Sequence, residues 1–218
     1  MIAGYCMNRE GVDTEALNAG TAHWTDENCV KGCEDLVAIS KFFQDTYLGD
    51  SNDDATAHFY NEEAAILIQG SWVIGQMNGA NPAFESKCGV FQFPGVERVI
   101  AKSDSLCMSS SSKCPDGAAA LIKYFTDDTA QKYTAEKGGK IPVTKVQYDV
   151  NAAPKQLGYV MDVFGGAKGT FGFYNESMPT TETGAHFDDT MVSVFLGDMS
   201  PADAAKDVEE YYKANCRK

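Results

Sequence analysis

Five consecutive apolar residues, Ala64-Ala65-Ile66-Leu67-Ile68, run through Gln69 into Gly70-Ser71-Trp72. A short stretch that is apolar on both faces reads as a buried strand, because an exposed sheet face would require polar residues at every second position. Such a strand needs cover on both sides, and this predicts helices layered on a sheet. A second strand is expected over Gly89-Val90-Phe91-Gln92-Phe93, closed by Pro94-Gly95, and a third between Val99 and Met108.

Helical signals alternate with these strands. Thr25 reads as an N-cap with Asp26 and Glu27 in the positive first turn, and Leu36, Ile39, Phe43 and Tyr47 continue as one apolar stripe. Asp116 to Phe125 predicts an Ala-rich helix after Pro115. Thr126 is expected to cap the next helix, which Gly138-Gly139 ends. Phe187, Met191 and Phe195 mark a further helix at steps of four. The last helix starts at Ser200, with Pro201 at N1 and Asp203 at N3. The alternation gives an α/β fold class.

The charge balance excludes several functions. Eighteen basic against 31 acidic residues leave a net charge of −13, which argues against binding nucleic acid or anionic lipid. No stretch reaches the length of apolar sequence that a membrane span requires. Met1 to Glu10 lacks the basic n-region and continuous h-region of a signal peptide. Seven cysteines include no CxxC pair. Cys29 and Cys33 share a helix face, but no histidine stands at ligand spacing, so no metal or other cofactor is expected. Most of the seven read as small buried hydrophobes, with a Cys107–Cys114 disulfide left open. Enzymatic motifs are poor as well: the sequence has no HExxH, GxSxG, GxGxxG or GxxxxGK, and its carboxylates follow no pattern.

Three segments in this order resemble the family of extracellular solute-binding proteins that includes the maltose-binding protein. They are Glu63 to Trp72 followed by Gly89 to Pro94, Ala118 to Tyr133 closing in Gly138 to Val143, and Ser193 to Tyr212. The resemblance runs from about Thr21 to the C-terminus and covers only the later half of such proteins. It implies the C-terminal portion of a two-lobed, type II periplasmic-binding-protein-like fold. Residues 1–100 and 152–218 would belong to the second lobe and 101–151 to the first, whose helices would then expose apolar faces. It further implies a truncated or excised form of the substrate-binding component of an ABC importer. That component binds a mono- or oligosaccharide and docks on permease membrane subunits, at an extracellular, cell-surface or periplasmic location.

A sugar presents apolar C–H faces and hydroxyl edges, so its site needs an aromatic plate and polar groups around the rim. By resemblance Trp72 matches the ring that stacks on sugar, with Ser71 beside it and Gly70 allowing close backbone approach; the alternative is a core tryptophan. Asp104, in the turn Lys102 to Ser105, is a candidate acceptor of hydroxyls or a plain polar loop residue. Glu182, His186 and Asp188 stand at the start of a helix, where free N–H groups also bind ligand oxygens; acidic residues there serve equally as helix-end charges. At this place the family's sugar receptors often supply an aromatic, and this chain has Gly184, Ala185 and His186. Trp24 reads as a hydrophobic staple. A small α/β hydrolase or transferase acting on a glycan is the alternative function, and a structural domain with Trp72 in its core is a third.

Overall fold

A computed structural model describes residues 1–216. In chain order the helices are α1 (Ile2–Arg9), α2 (Thr14–Ala19), α3 (Glu27–Ser40), α4 (Asn52–Tyr60) and α5 (Val73–Ala80), then β1 (Val99–Ile100), α6 (Pro115–Phe125), α7 (Asp128–Gly138), α8 (Lys155–Gly166), β2 (Thr170–Phe171), α9 (Thr181–Leu196) and α10 (Pro201–Asn215). Among the described residues the one sheet is the parallel pair β1–β2, in the register Val99 to Thr170 and Ile100 to Phe171.

Packing divides the chain into two compact units: Met1–Leu48 with Phe93–Ala101 and Ala167–Lys218, and Gly49–Gln92 with Lys102–Gly166. These bounds differ from the expected 1–100, 101–151 and 152–218, because 49–92 packs on 102–166. The fully buried Gln156 of α8 donates to the backbone oxygens of Glu85 (2.8 Å) and Cys88 (3.4 Å). Gly75 of α5 lies against the end of α7, where a Cβ would stand 3.1 Å from the Gly138 oxygen.

The first unit holds the larger core. Helices α1, α3, α9 and α10 bury Met7, Cys33, Leu36, Phe187, Met191, Val208 and Tyr212 together. Trp24 belongs to this core and is no staple: it is 2% exposed, and its ring centroid lies 5.4 Å from that of Phe187. Its backbone N–H donates to the buried carboxylate of Glu209 at 2.8 Å, which also meets His23 Nδ1 (3.0 Å) and Lys213 Nζ (3.2 Å). The start of α10 is as expected, with Ser200 Oγ accepting from Asp203 N–H at 3.1 Å behind Pro201.

Several local expectations change. The run Ala64–Ile68 is not a strand, and neither is Gly89–Phe93: both are extended or irregular, and Ile66 and Phe91 are each 62% exposed. A strand exists only by pairing with a neighbour, and the ladder here is confined to β1 and β2. Of the third strand only Val99–Ile100 forms. Asp127, not Thr126, caps α7, accepting from Ala130 N–H at 2.8 Å; the Thr126 hydroxyl instead donates back to the Ile122 oxygen at 3.0 Å. Asp26 rather than Thr25 precedes α3, which stops at Ser40. Phe43 and Tyr47 therefore lie beyond the helix, yet their rings gather on Phe195 of α9 at 5.6 and 6.0 Å. All seven cysteines are free. Cys6, Cys29, Cys33 and Cys88 are buried, while Cys107 and Cys114 are exposed and unbridged.

Candidate functional site

The turn into α5 is built from Gly70-Ser71-Trp72. The Gly70 and Ser71 carbonyls accept from Val73 N–H (3.3 Å) and Ile74 N–H (3.2 Å), which starts the helix. Trp72 is the residue before its first turn, with a right-handed helical backbone. The opposite face of α5 is fixed by a small core of Val73, Met77, Phe84 and Cys88, with Phe59, Tyr60 and Leu67 packed against it. That anchorage holds Trp72 outward, and its side chain is 48% exposed. One face of the indole lies across Gly70: a Cβ there would overlap ring atoms Cζ3, Cη2 and Cε3. The glycine thus accommodates the tryptophan's own ring.

Polar groups border this turn. Gln69 Nε2 donates to Asn52 Oδ1 at 3.3 Å and Gln76 Nε2 to Asp53 Oδ1 at 3.0 Å. Gln76 stands one helical turn after Trp72, on the same side of α5. An exposed indole with amides and a carboxylate nearby has the make-up of a saccharide subsite, an apolar plate with hydrogen-bonding neighbours. Asn52, Asp53, Gln69 and Gln76 were not singled out from the sequence. The four-residue spacing of Trp72 and Gln76 was the available signal.

The other expected residues lie elsewhere. Asp104 is exposed in an irregular segment of the same unit. Glu182, His186 and Asp188 are on α9, in the other unit. Glu182 is exposed in the first turn, behind the Thr180 cap, whose hydroxyl accepts from Thr183 N–H at 3.1 Å. His186 Nε2 sits 2.7 Å from Asp207 Oδ2, and its ring stacks on Tyr211 with centroids 4.0 Å apart, so it joins α9 to α10. Asp188 accepts from Asn175 Nδ2 at 2.7 Å, and burial pushes its carboxyl above the usual range. Gly184 is needed where α9 meets the 3-10 turn Asn175–Ser177, because a Cβ would overlap the Asn175 oxygen.

The first unit also contains an open cavity of about 440 Å³, lined by Asn8, Asp13, Asn18, Arg98, Tyr174 and Ser177 among others. Much of this lining is engaged in the fold. Arg98 Nε donates to the Thr170 oxygen at 3.1 Å, Tyr174 Oη to the Val12 oxygen at 2.6 Å, and Asn18 Nδ2 to the Ser177 oxygen at 2.9 Å. Among the described residues, no cluster of three or more potential metal ligands occurs, and no helix is long and apolar enough to cross a membrane.

Comparison with known proteins gives a consistent set of likenesses. Residues 1–158 match a family model described as bacterial extracellular solute-binding protein. A protein of Streptococcus mutans described as a multiple sugar-binding protein is 32% identical over 135 residues, which is 57% of this chain and 32% of that protein. Among solved structures, a chitin oligosaccharide binding protein superposes over 100% of this chain and 56% of its own, with a TM-score of 0.86 at 19% identity. A maltose-bound MalE3 of T. maritima superposes over 97% of this chain and 56% of its own, with a TM-score of 0.74 at 20% identity. At these identities the structures establish the fold, which is α/β and corresponds to part of a two-lobed, type II periplasmic-binding-protein-like protein. The chain spans about half the length of these structures and about a third of the curated relative.

Proposed function

This chain belongs to the family of bacterial extracellular solute-binding proteins, and we propose that it carries part of the carbohydrate-binding surface of an ABC importer's receptor. The observation that carries the reading is the half-exposed indole of Trp72, held outward at the start of α5 with Gln76 on the same side. The flat ring suits the C–H face of a pyranose, and the amides of Gln69 and Gln76 suit its hydroxyls. Relatives described as binding multiple sugars and chitin oligosaccharide support a mono- or oligosaccharide as the ligand class.

In this reading the protein is a binder that delivers its sugar to membrane permease subunits, at an extracellular or periplasmic location. It is not a glycan hydrolase or transferase. Asp104, Glu182, His186 and Asp188 remain candidate polar contacts; His186 and Asp188 would have to exchange Asp207 and Asn175 for a ligand hydroxyl. A chain spanning half of such a fold offers part of the hydrogen-bonding wall, so its affinity is expected near the millimolar range, about 4 kcal/mol.

The test is a titration with chitin, xylan and maltose oligosaccharides, followed by protein NMR. Saturable shifts at Trp72, Gln69 and Gln76 with the sugars intact are expected. No shift with any sugar, or release of new reducing ends, would overturn the proposal.

A further inference from the structure

Two of the cysteines differ from the rest in their surroundings. Cys107 and Cys114 are exposed, whereas Cys6, Cys29, Cys33 and Cys88 are buried and Cys216 is partly covered. Both exposed cysteines lie in the second unit, and the chain turns between them. Ser112 N–H donates to the Ser109 oxygen at 3.1 Å, with Ser110 and Ser111 at the bend. The Ser109 hydroxyl accepts from Ser111 N–H at 3.2 Å and lies 2.9 Å from the Ser111 hydroxyl, so the turn is held from within. Cys107 precedes Ser109 by two residues, and Cys114 follows Ser112 by two. A turn of this kind brings its end residues within about 7 Å, and a disulfide spans Cα atoms up to about 7 Å apart.

The two flanks of the turn are held differently. Cys114 is the residue before α6. Its backbone oxygen accepts from Ala118 N–H at 3.0 Å and its N–H donates to Ser112 Oγ at 3.3 Å, but its side chain caps nothing. The sulfur lies over the first turn of the helix, where a Cβ at Gly117 would stand 2.7 Å from it. No residue of α6 is buried, so this first turn is poorly anchored. On the other flank, residues 102–110 are exposed and 102–109 form neither helix nor strand, which leaves Cys107 room to approach. Two accessible thiols on one short loop meet each other at high effective concentration.

We propose that Cys107 and Cys114 are a redox-responsive pair, which a small-molecule disulfide such as oxidised glutathione closes into a bridge that braces the first turn of α6. One cysteine sulfur attacks the small disulfide and releases one small thiol. The second cysteine then attacks the mixed disulfide and releases the other. One S–S bond breaks and one forms, the two protein thiols lose their hydrogens, and the small disulfide leaves reduced to two thiols. Disulfides persist in oxidising surroundings outside the cytosol, and the family is described as extracellular. This rests on thiol exposure and turn geometry, and it is independent of the carbohydrate reading.

The experiment equilibrates the full chain in buffers of increasing oxidised-to-reduced glutathione ratio. Intact mass is expected to show the loss of two hydrogens in a chain that stays monomeric on size exclusion, and peptide mapping to join Cys107 to Cys114. Hydrogen exchange at the Ala118 amide, which reports the first turn of α6, is expected to slow by roughly tenfold on bridging, as the entropy of a closed loop of this size allows. Cys107→Ser and Cys114→Ser should each take up one glutathione at the remaining exposed cysteine and show no slowing at Ala118. The proposal is overturned if the parent chain takes up a glutathione on each of the two cysteines, if the bond forms between two chains or with a buried cysteine, or if the bridged chain exchanges Ala118 as fast as the reduced one.

Discussion

The indole of Trp72 rests on the backbone of Gly70, so closely that no side chain fits between them. Gly70→Ala is therefore expected to push the ring aside. The yielding neighbour is one surface side chain, and the variant should keep its stability to within about 1 kcal/mol. Tryptophan emission should shift and the response to sugar should fall. Unchanged emission and unchanged sugar response would show that the ring position does not depend on the glycine.

A second glycine faces backbone. A Cβ at Gly184 would overlap the Asn175 carbonyl oxygen, and neither α9 nor the turn can yield as a side chain does. Gly184→Ala is expected to cost about 1–3 kcal/mol in chemical denaturation. Gly158 in α8 has nothing within 4 Å of its Cβ position. There the same substitution should stabilise by about 0.5–1 kcal/mol. Equal effects at the two positions would contradict the packing described.

These two contacts show where sequence reasoning reaches and where it stops. Ser200-Pro201 and Pro115 announce their helices because capping and fixed proline geometry are local. Trp72's place before α5 carries no such signal, because no side chain caps that helix. What failed was non-local. Ala64–Ile68 has the composition of a strand, but pairing depends on a neighbour, and none is present among the described residues. The role of Trp24 depends on Glu209, 185 residues away, and no spacing rule connects them. His186 at a helix start resembles a binding residue until Asp207 and Tyr211 arrive from the next helix.

The thiols should fall into two kinetic classes. Burial pushes the Cys6, Cys29 and Cys33 thiols up to about 12, so at neutral pH they are protonated and shielded. Cys107 and Cys114 are exposed. A thiol reagent at pH 7 should modify Cys107 and Cys114 first and reach Cys6, Cys29 and Cys33 only in denaturant, as peptide mapping would show. Early modification of Cys33 would contradict the α1–α3 packing.

His58 is expected to titrate above the ordinary histidine range, because the Glu63 carboxylate bonds its Nδ1 and Asp50 lies 3.6 Å from its Nε2. A raised folded-state pKa means that this clasp stabilises fully below the unfolded value of about 6.5. The contribution is lost as pH rises through the folded value. NMR of the imidazole should show the upward shift, and Glu63→Gln should reduce it. A midpoint unmoved by that substitution would show that the pair does not form.

The most direct measurement is a sugar titration of Trp72→Ala beside the parent chain, read by NMR shifts at Gln69 and Gln76, with circular dichroism and melting followed in parallel. The account predicts a variant that folds and melts like the parent but no longer responds to oligosaccharide. A variant that unfolds, or one that keeps the full response, would contradict it.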